Sequence, residues 1–150
     1  HVFVTRTFSK LFSMAGCRLG YVAGWSEGVK MVQKLCTPHN TNAFAMKFAE
    51  EIIEHPEVLN ALIANFNEGR QYLIDALDAN GYQHKGEAGN FIFIKVNTDA
   101  EKIVARMKAE KKILIKSYAN VGDFGTCLRV SIGEKKFMEQ FMNALLELDK

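Results

Sequence analysis

The spacing of apolar residues changes at the tripeptide Asn80-Gly81-Tyr82. Before it, apolar residues recur at three- and four-residue intervals from Leu59 to Leu77, which predicts an amphipathic helix that the glycine ends. After it, short apolar runs alternate with amphipathic stretches in the order strand, helix, strand, strand, helix. This order predicts a small α+β layer with helices packed on one side of a sheet.

Three strands and two helices make up this predicted layer. The strands are the runs FIFIKV at 91–96, ILIKS at 113–117 and CLRVSI at 127–132. One helix is predicted in the segment that contains Ile103 and Val104. The last helix has one apolar face. We expect that face to comprise Phe137, Met138, Phe141, Met142, Leu145 and Leu146.

Short strands and helices are also predicted before Leu59. The runs HVFVT at 1–5 and LGYVAGW at 19–25 predict two strands joined by a loop, and 27–35 predicts a short helix. A further helix should bury one face, and Pro56 either kinks one long helix or separates two. The residues of that predicted face are Phe44, Phe48, Ala49, Ile52 and Ile53.

Composition excludes several classes of protein. The 150 residues are 48% apolar, and their net charge is +2. Basic and acidic residues are interspersed along the chain, so we expect neither nucleic-acid nor membrane binding. Three cysteines without a CxxC pair predict small buried side chains and a reducing, cytosolic compartment. We expect no metal ion, because the histidines lack ligand spacing. They include His39, His55 and His84.

One lysine stands in unusual surroundings, in the loop after the first predicted strand. Lys10 follows Thr7 and Ser9, and Arg18 comes eight residues later, beyond Gly16. Hydroxyl donors and a guanidinium suit the oxygens of a phosphate, and a neighbouring lysine can reach a second group of the same ligand. The loop lacks the glycines of a Walker-type sequence.

A second basic residue interrupts an apolar strand. Arg129 lies in CLRVSIG, where an unpaired charge is costly unless it meets an anion. The residue types alone leave two alternatives open, a bound carboxylate or a structural role at the sheet edge or beside Glu134.

The stretch TFSKLFSMAGCRLGY resembles the cofactor-lysine segment of the fold-type I aminotransferases, in particular the histidinol-phosphate aminotransferase subgroup. The matching positions are Thr7, Ser9, Lys10, Gly16, Arg18, Gly20 and Tyr21. The resemblance implies that Lys10 forms a Schiff base with pyridoxal 5'-phosphate and is the catalytic residue. It also implies that Thr7, Ser9 and Arg18 bind the cofactor phosphate.

The same resemblance implies a substrate site. Arg129 would grip the α-carboxylate of the substrate, and Asn90 would lie near the pocket. The residue type alone leaves a second alternative for Asn90, a turn residue before the strand. Lys116 stands where the subgroup usually has an arginine and lacks the guanidinium fork, so the substrate is either histidinol-phosphate-like or another amino acid. Two alternatives to an aminotransferase stay open, a threonine-phosphate decarboxylase and a non-catalytic aminotransferase-like module of a regulator.

The resemblance also implies an α/β fold, of which this chain is the C-terminal portion. Residues 1–55 would end the large cofactor-binding domain, 56–80 would form an interdomain helix, and 81–150 a small α+β domain. An N-terminal part would then be missing, and this piece alone should be inactive. The whole enzyme should be a cytosolic homodimer in amino-acid biosynthesis.

Overall fold

The computed structural model describes residues 2–38 and 40–150. His1, at the start of the first predicted strand, and His39 lie outside the described residues. The chain divides into two compact units, residues 1–63 and residues 64–150, called here the N-terminal and C-terminal units. Among the described residues, no helix is both long enough and apolar enough to cross a bilayer.

The N-terminal unit contains the two predicted strands, which form an antiparallel pair. Strand β1 spans Val4–Thr7 and strand β2 spans Gly20–Ala23, and Thr7 lies opposite Gly20. The helix predicted over 27–35 is α1, Ser26–Gln33. Both strand predictions and this helix prediction are confirmed, with ends that differ by a few residues.

Two separate helices follow, which decides the alternative that Pro56 left open. Helix α2 spans Ala43–Glu54, and the side chain of Asn42 caps it by accepting hydrogen bonds from two backbone N–H groups. Helix α3 spans Pro56–Ala79. Proline has no N–H to donate and is therefore well tolerated in the first turn of a helix.

The predicted apolar face of α2 is wrong in part. Ala49 is buried as expected, but Phe44 is 89% exposed and Phe48 is 56% exposed. Periodicity groups residues by helix face, but it does not show which face has a neighbour to pack against. The buried hydrophobic residues that the structure describes in this unit form one small cluster. They are Phe8, Met14, Ala45 and Ala49.

The C-terminal unit is built on a four-stranded antiparallel sheet in the order β3-β4-β6-β5. The strands are β3 His84–Lys85, β4 Phe91–Ile94, β5 Lys116–Tyr118 and β6 Cys127–Ser131. Helix α4 spans Ala100–Arg106 and continues as a π-helical turn over Met107–Lys111, and α5 spans Lys135–Leu148. Strand β3 was not predicted, and β5 lies three residues later than the start predicted for it.

Helices cover one face of this sheet, as predicted. Ile92 and Leu128 are fully buried and pack in the same cluster as Leu77 of α3 and Leu145 of α5. On α5 the prediction is wrong for Phe137 and Leu146, which are exposed at the edges of the apolar face. The sheet therefore has a packed face and a face without helices, and a strand's successive side chains alternate between them.

Two close contacts hold the C-terminal unit together. A Cβ added at Gly69 would lie 1.9 Å from the carbonyl oxygen of Gly133, so α3 and the loop after β6 approach at backbone distance. The buried carboxylate of Asp149 accepts hydrogen bonds from the backbone N–H groups of Asn97 and Thr98 at 2.9 and 2.8 Å. Burial, and then the neighbouring Asp149 charge, raise the pKa of Tyr82 to about 12.

The prediction of buried cysteines holds for one of three. Cys127 is buried in the C-terminal unit, and that burial raises the pKa of its thiol. Cys17 and Cys36 are exposed, so their small apolar side chains do not belong to a core. Cys17 ends a short 3-10 helix, Ala15–Cys17, and Cys36 lies in a bend after α1, where composition alone does not predict exposure.

Candidate cofactor and substrate sites

Backbone pairing between β1 and β2 closes the loop that contains Lys10. The N–H of Phe8 donates to the carbonyl of Leu19 at 3.1 Å, which extends the strand pair by one position. Gly20 permits the close approach, because a Cβ there would lie 2.7 Å from the carbonyl oxygen of Arg6. Ser9 and Arg18 are the next residues toward the loop. The strand pairing therefore places them opposite each other, where the loop begins and ends.

Two hydroxyls at the start of the loop bond to each other. The backbone N–H of Ser9 donates to Thr7 Oγ1 at 3.0 Å, and the Thr7 hydroxyl donates to Ser9 Oγ at 2.9 Å. Thr7 therefore uses its hydroxyl proton to orient Ser9. The hydroxyl proton of Ser9 stays available to donate to a ligand.

Lys10 begins a tight turn at the exposed tip of the loop. The N–H of Ser13 donates to the carbonyl of Lys10 at 2.9 Å, and the Lys10 side chain is exposed. Throughout residues 2–38 and 40–150, no carboxylate lies within ion-pair distance of Lys10 Nζ. The amino group is thus open to a ligand.

Arg18 has a strained backbone and a largely unused guanidinium. Its φ of 53° lies in the left-handed region, where a non-glycine residue costs about 1 kcal/mol. One guanidinium nitrogen, Nη1, donates to the carbonyl of Ala15 at 3.1 Å. The remaining N–H groups of Arg18 have no partner within the described part of the chain, so they are free for an acceptor.

The charge of this segment favours an anion. Residues 1–26 contain Arg6, Lys10 and Arg18 but no aspartate or glutamate; the first acidic residue is Glu27. Lys10 and Arg18, which form no ion pair among the described residues, share this loop with the hydroxyl of Ser9, and groups of these types suit phosphate oxygens. The structure thus brings Thr7, Ser9 and Arg18 together with Lys10 in one loop.

The second predicted site lies on the face of the C-terminal sheet that has no helices. Arg129 of β6 lies directly opposite Phe93 of β4 on one side and Lys116 of β5 on the other. Its guanidinium carbon lies 4.0 Å from the ring centroid of Phe91. Two of the predicted substrate residues, Lys116 and Arg129, are therefore direct neighbours on adjacent strands.

Arg129 has no acidic partner among the residues that the structure describes. Glu134, the alternative partner considered from the sequence, instead lies 2.8 Å from Lys136 Nζ. A half-buried cation without a counter-ion loses hydration and gains no ion pair, so this arrangement favours an external anion.

Asn90 lies at the end of the same strand pair but contacts neither basic residue through a hydrogen bond. Its backbone carbonyl accepts from the N–H of Ile132 at 3.0 Å, and its side chain is exposed. The structure thus places Asn90 by its backbone, and its role as a substrate residue stays a prediction.

Sequence reasoning missed the aromatic residues beside Arg129. The rings of Phe91 and Phe93 meet edge to face at 5.2 Å between centroids, and Phe93 meets Tyr118 in the same way at 5.9 Å. The alternation in FIFIKV could have indicated them, because it separates these phenylalanines from the buried isoleucines.

A separate cleft of about 620 Å³ contains none of the predicted site residues. In it, His84 is mostly buried, with Nε2 at 3.0 Å from Asp78 Oδ1 and Nδ1 at 3.3 Å from Glu87 Oε1. Among the described residues, no group of three or more His, Cys, Asp or Glu side chains could hold a metal ion. His39 lies outside those residues.

Known proteins are similar to this chain in sequence and in fold. The family described as aminotransferase class I and II matches residues 1–145. Histidinol-phosphate aminotransferase 1 of Ralstonia nicotianae is 34% identical over 146 residues, which are 96% of this chain and 38% of that protein. This chain covers 38% to 42% of the length of the curated relatives compared, so it spans about two-fifths of them.

Solved structures agree. The histidinol-phosphate aminotransferase of Clostridium acetobutylicum superposes with a TM-score of 0.86 at 23% identity, over 98% of this chain and 45% of that one. The enzyme of Sinorhizobium meliloti, solved in complex with pyridoxal-5'-phosphate, gives 0.83 at 23% identity, over 97% and 40%. The predicted fold, the C-terminal portion of a fold-type I aminotransferase, is confirmed. The chain belongs to the class I and II aminotransferase family.

Proposed function

We propose that this chain supplies the lysine, the phosphate-binding loop and the carboxylate-binding arginine of a pyridoxal-phosphate-dependent aminotransferase. The enzyme would move an amino group between an amino acid or amino-phosphate, histidinol-phosphate-like, and a 2-oxo acid. The observation that carries the proposal is the unpaired donor set in the loop after β1, in a chain of this family.

The residues present fit the cofactor. The Ser9 hydroxyl and the free N–H groups of Arg18 would bind the phosphate, and Thr7 would hold Ser9 in place. Bound pyridoxal phosphate supplies an aldehyde and a ring that withdraws electrons from the substrate α-carbon. Lys10 Nζ, exposed and without an ion-pair partner in the described residues, would hold the cofactor through its aldehyde group. Its free amine would act as the base that accepts the proton from the substrate α-carbon.

The sheet face of the C-terminal unit would bind the substrate. Arg129 offers two parallel N–H groups to the α-carboxylate, which suits bidentate binding. Lys116, its cross-strand neighbour, would attract a second anionic group without gripping it in two places. Asn90 would contribute from the end of β4.

Covalent labelling tests the role of Lys10. The purified protein is incubated with pyridoxal phosphate, reduced with borohydride and digested, and mass spectrometry locates the modified lysine. We expect the label on Lys10, its loss in Lys10→Ala, and its retention in Lys30→Ala, which removes another exposed lysine of the same unit. Label that persists in Lys10→Ala would contradict the proposal.

Comparing cofactor forms tests the phosphate site. Arg18→Ala should weaken labelling by pyridoxal phosphate while changing labelling by pyridoxal, which has no phosphate, very little. A charge-assisted hydrogen bond contributes about 1.5–3 kcal/mol, which corresponds to at least about tenfold in affinity. Equal losses with both compounds would show that Arg18 does not contact the phosphate.

Substrate assays separate the candidate reactions. In the full-length protein, transamination of histidinol phosphate is compared with that of amino acids without phosphate, and release of carbon dioxide from threonine phosphate is measured in parallel. We expect Lys116→Ala to raise KM for the phosphate-bearing substrate alone. Decarboxylation without transamination would favour the decarboxylase alternative.

The domain assignment and the homodimer are part of the same proposal. Helix α3, Pro56–Ala79, falls within the segment 56–80 assigned to an interdomain helix, and the two compact units divide inside it. Sedimentation equilibrium of the full-length protein would measure its mass, and a monomer at micromolar concentration would contradict the homodimer.

A further inference from the structure

The guanidinium of Arg129 lies to one side of its own position in the sheet. The cross-strand partners of Arg129 are Phe93 and Lys116, yet its guanidinium lies over Phe91, two residues from Phe93 along β4. Such a diagonal neighbour is about 7–8 Å away across a sheet, a distance that a long side chain can span. Arg129 therefore extends toward the end of β4 where Asn90 lies.

An aromatic ring is what fixes this orientation. At 4.0 Å from the Phe91 centroid, the guanidinium is close enough for a cation–π interaction. Within residues 2–38 and 40–150, the Arg129 guanidinium forms no hydrogen bond or ion pair in addition to this contact. Because the guanidinium N–H groups lie in its plane, contact with a ring face leaves their edge free for a carboxylate.

Phe91 is itself held in place. Its ring meets Phe93 edge to face, and Phe93 meets Tyr118 of β5 in the same way. These three rings come from β4 and β5, which flank β6 in a sheet whose other face is packed against helices. The ring beneath Arg129 is therefore itself packed against other rings, although all three rings are partly or largely exposed.

We infer that Phe91 is a positioning residue, which holds the Arg129 guanidinium ready to bind the carboxylate of the substrate. The inference rests on the proposed function of Arg129 and adds a residue to that site. An arginine that moves freely must be ordered when the ligand binds, whereas a stacked one is already ordered. Loss of the ring should therefore weaken carboxylate binding without changing the chemical step.

The test compares variants of Phe91 in the full-length protein, which the proposed function requires for turnover. Ordering one flexible side chain corresponds to about 3- to 10-fold in affinity, so Phe91→Leu should raise KM for the amino acid by that factor, with kcat nearly unchanged. Phe91→Tyr keeps the ring and should restore wild-type KM. The matched control is Phe137→Leu, which removes an exposed phenylalanine that contacts Lys136 in a cation–π pair elsewhere.

A binding measurement needs no turnover. Isothermal titration with 2-oxoglutarate should show the same loss for Phe91→Leu and none for Phe137→Leu, whereas ethylamine, which lacks a carboxylate, should not distinguish any variant from wild type. Unchanged 2-oxoglutarate binding in Phe91→Leu, together with a loss in Arg129→Ala, would overturn the role of Phe91 alone. Unchanged binding in Arg129→Ala would overturn the proposed carboxylate site and this inference with it.

Discussion

The N-terminal and C-terminal units differ in how they hold their functional residues. In the C-terminal unit, a cluster of seventeen buried residues supports the sheet on which Arg129 and Lys116 lie. In the N-terminal unit, the buried cluster among the described residues has four members, and two of them, Phe8 and Met14, flank Lys10 in its loop, which backbone hydrogen bonds also hold. The comparison indicates that a large packed core positions the proposed substrate residues, whereas the proposed cofactor loop depends on a small cluster and on local hydrogen bonds.

A matched pair of substitutions can break this comparison. Phe141 is 2% exposed in the C-terminal unit and Phe44 is 89% exposed in the N-terminal unit. We expect Phe141→Ala to lower the free energy of unfolding by about 3–5 kcal/mol, because loss of the ring leaves a cavity that the packed core cannot fill. Phe44→Ala should change the free energy of unfolding by less than about 0.5 kcal/mol.

Urea unfolding followed by circular dichroism measures both changes, and the fluorescence of Trp25, the single tryptophan, reports on the N-terminal unit. Equal losses in the two variants would show that Phe44 is covered in the purified protein. The two units would then not differ in how well these phenylalanines are packed.

Secondary structure was predictable where apolar spacing was regular. The strands around Val4 and Gly20 and the helices α1, α4 and α5 follow from such spacing. Strand β3 has two polar residues, His84 and Lys85, so no apolar pattern indicates it. Strand β5 begins at Lys116, after the apolar run, because its register is decided by pairing with β6.

The candidate sites were predictable to different depths. The motif around Lys10 is local in sequence, so its residues could be named before the fold was known. The contact between Arg129 and Phe91 is not local, because it depends on which strands are neighbours and on a diagonal reach across them. The predicted apolar face of α2 was wrong for a related reason, because spacing does not show that Phe44 lacks a packing partner.

The close contact of α3 with the loop after β6 offers a second test of packing in the C-terminal unit. Gly69→Ala would place a Cβ 1.9 Å from the Gly133 carbonyl oxygen, so helix and loop must separate. We expect a loss of about 2–3 kcal/mol in the free energy of unfolding, despite the better helix propensity of alanine. Asn67→Ala, an exposed change in the same helix, is the control, and an equal effect of both would contradict the close contact.

Asp149 provides a smaller effect that depends on hydrogen bonds. Asp149→Asn keeps the shape but replaces one acceptor oxygen with a donor that faces an N–H group of the Asn97–Thr98 segment. We expect a loss of about 1–3 kcal/mol, measured by urea unfolding. Glu147→Gln alters an exposed carboxylate of α5 and should cost less than about 0.5 kcal/mol. A similar cost for both would show that the buried hydrogen bonds of Asp149 add little.

Alkaline pH should weaken the C-terminal unit through Tyr82. The pKa of Tyr82 is raised from the ordinary 10.0 to about 12, by burial first and by the Asp149 charge second. Between these values the unfolded chain loses the phenolic proton while the folded protein keeps it, so stability falls as pH rises through this window. We expect Tyr82→Phe to flatten the decline, and Tyr21→Phe, which removes an exposed tyrosine of the N-terminal unit, to preserve it. Urea unfolding at about pH 9, 10 and 11 measures both slopes. A decline that is equally steep in wild type and Tyr82→Phe would assign the loss to other groups and would remove Tyr82 from the features that distinguish the two units.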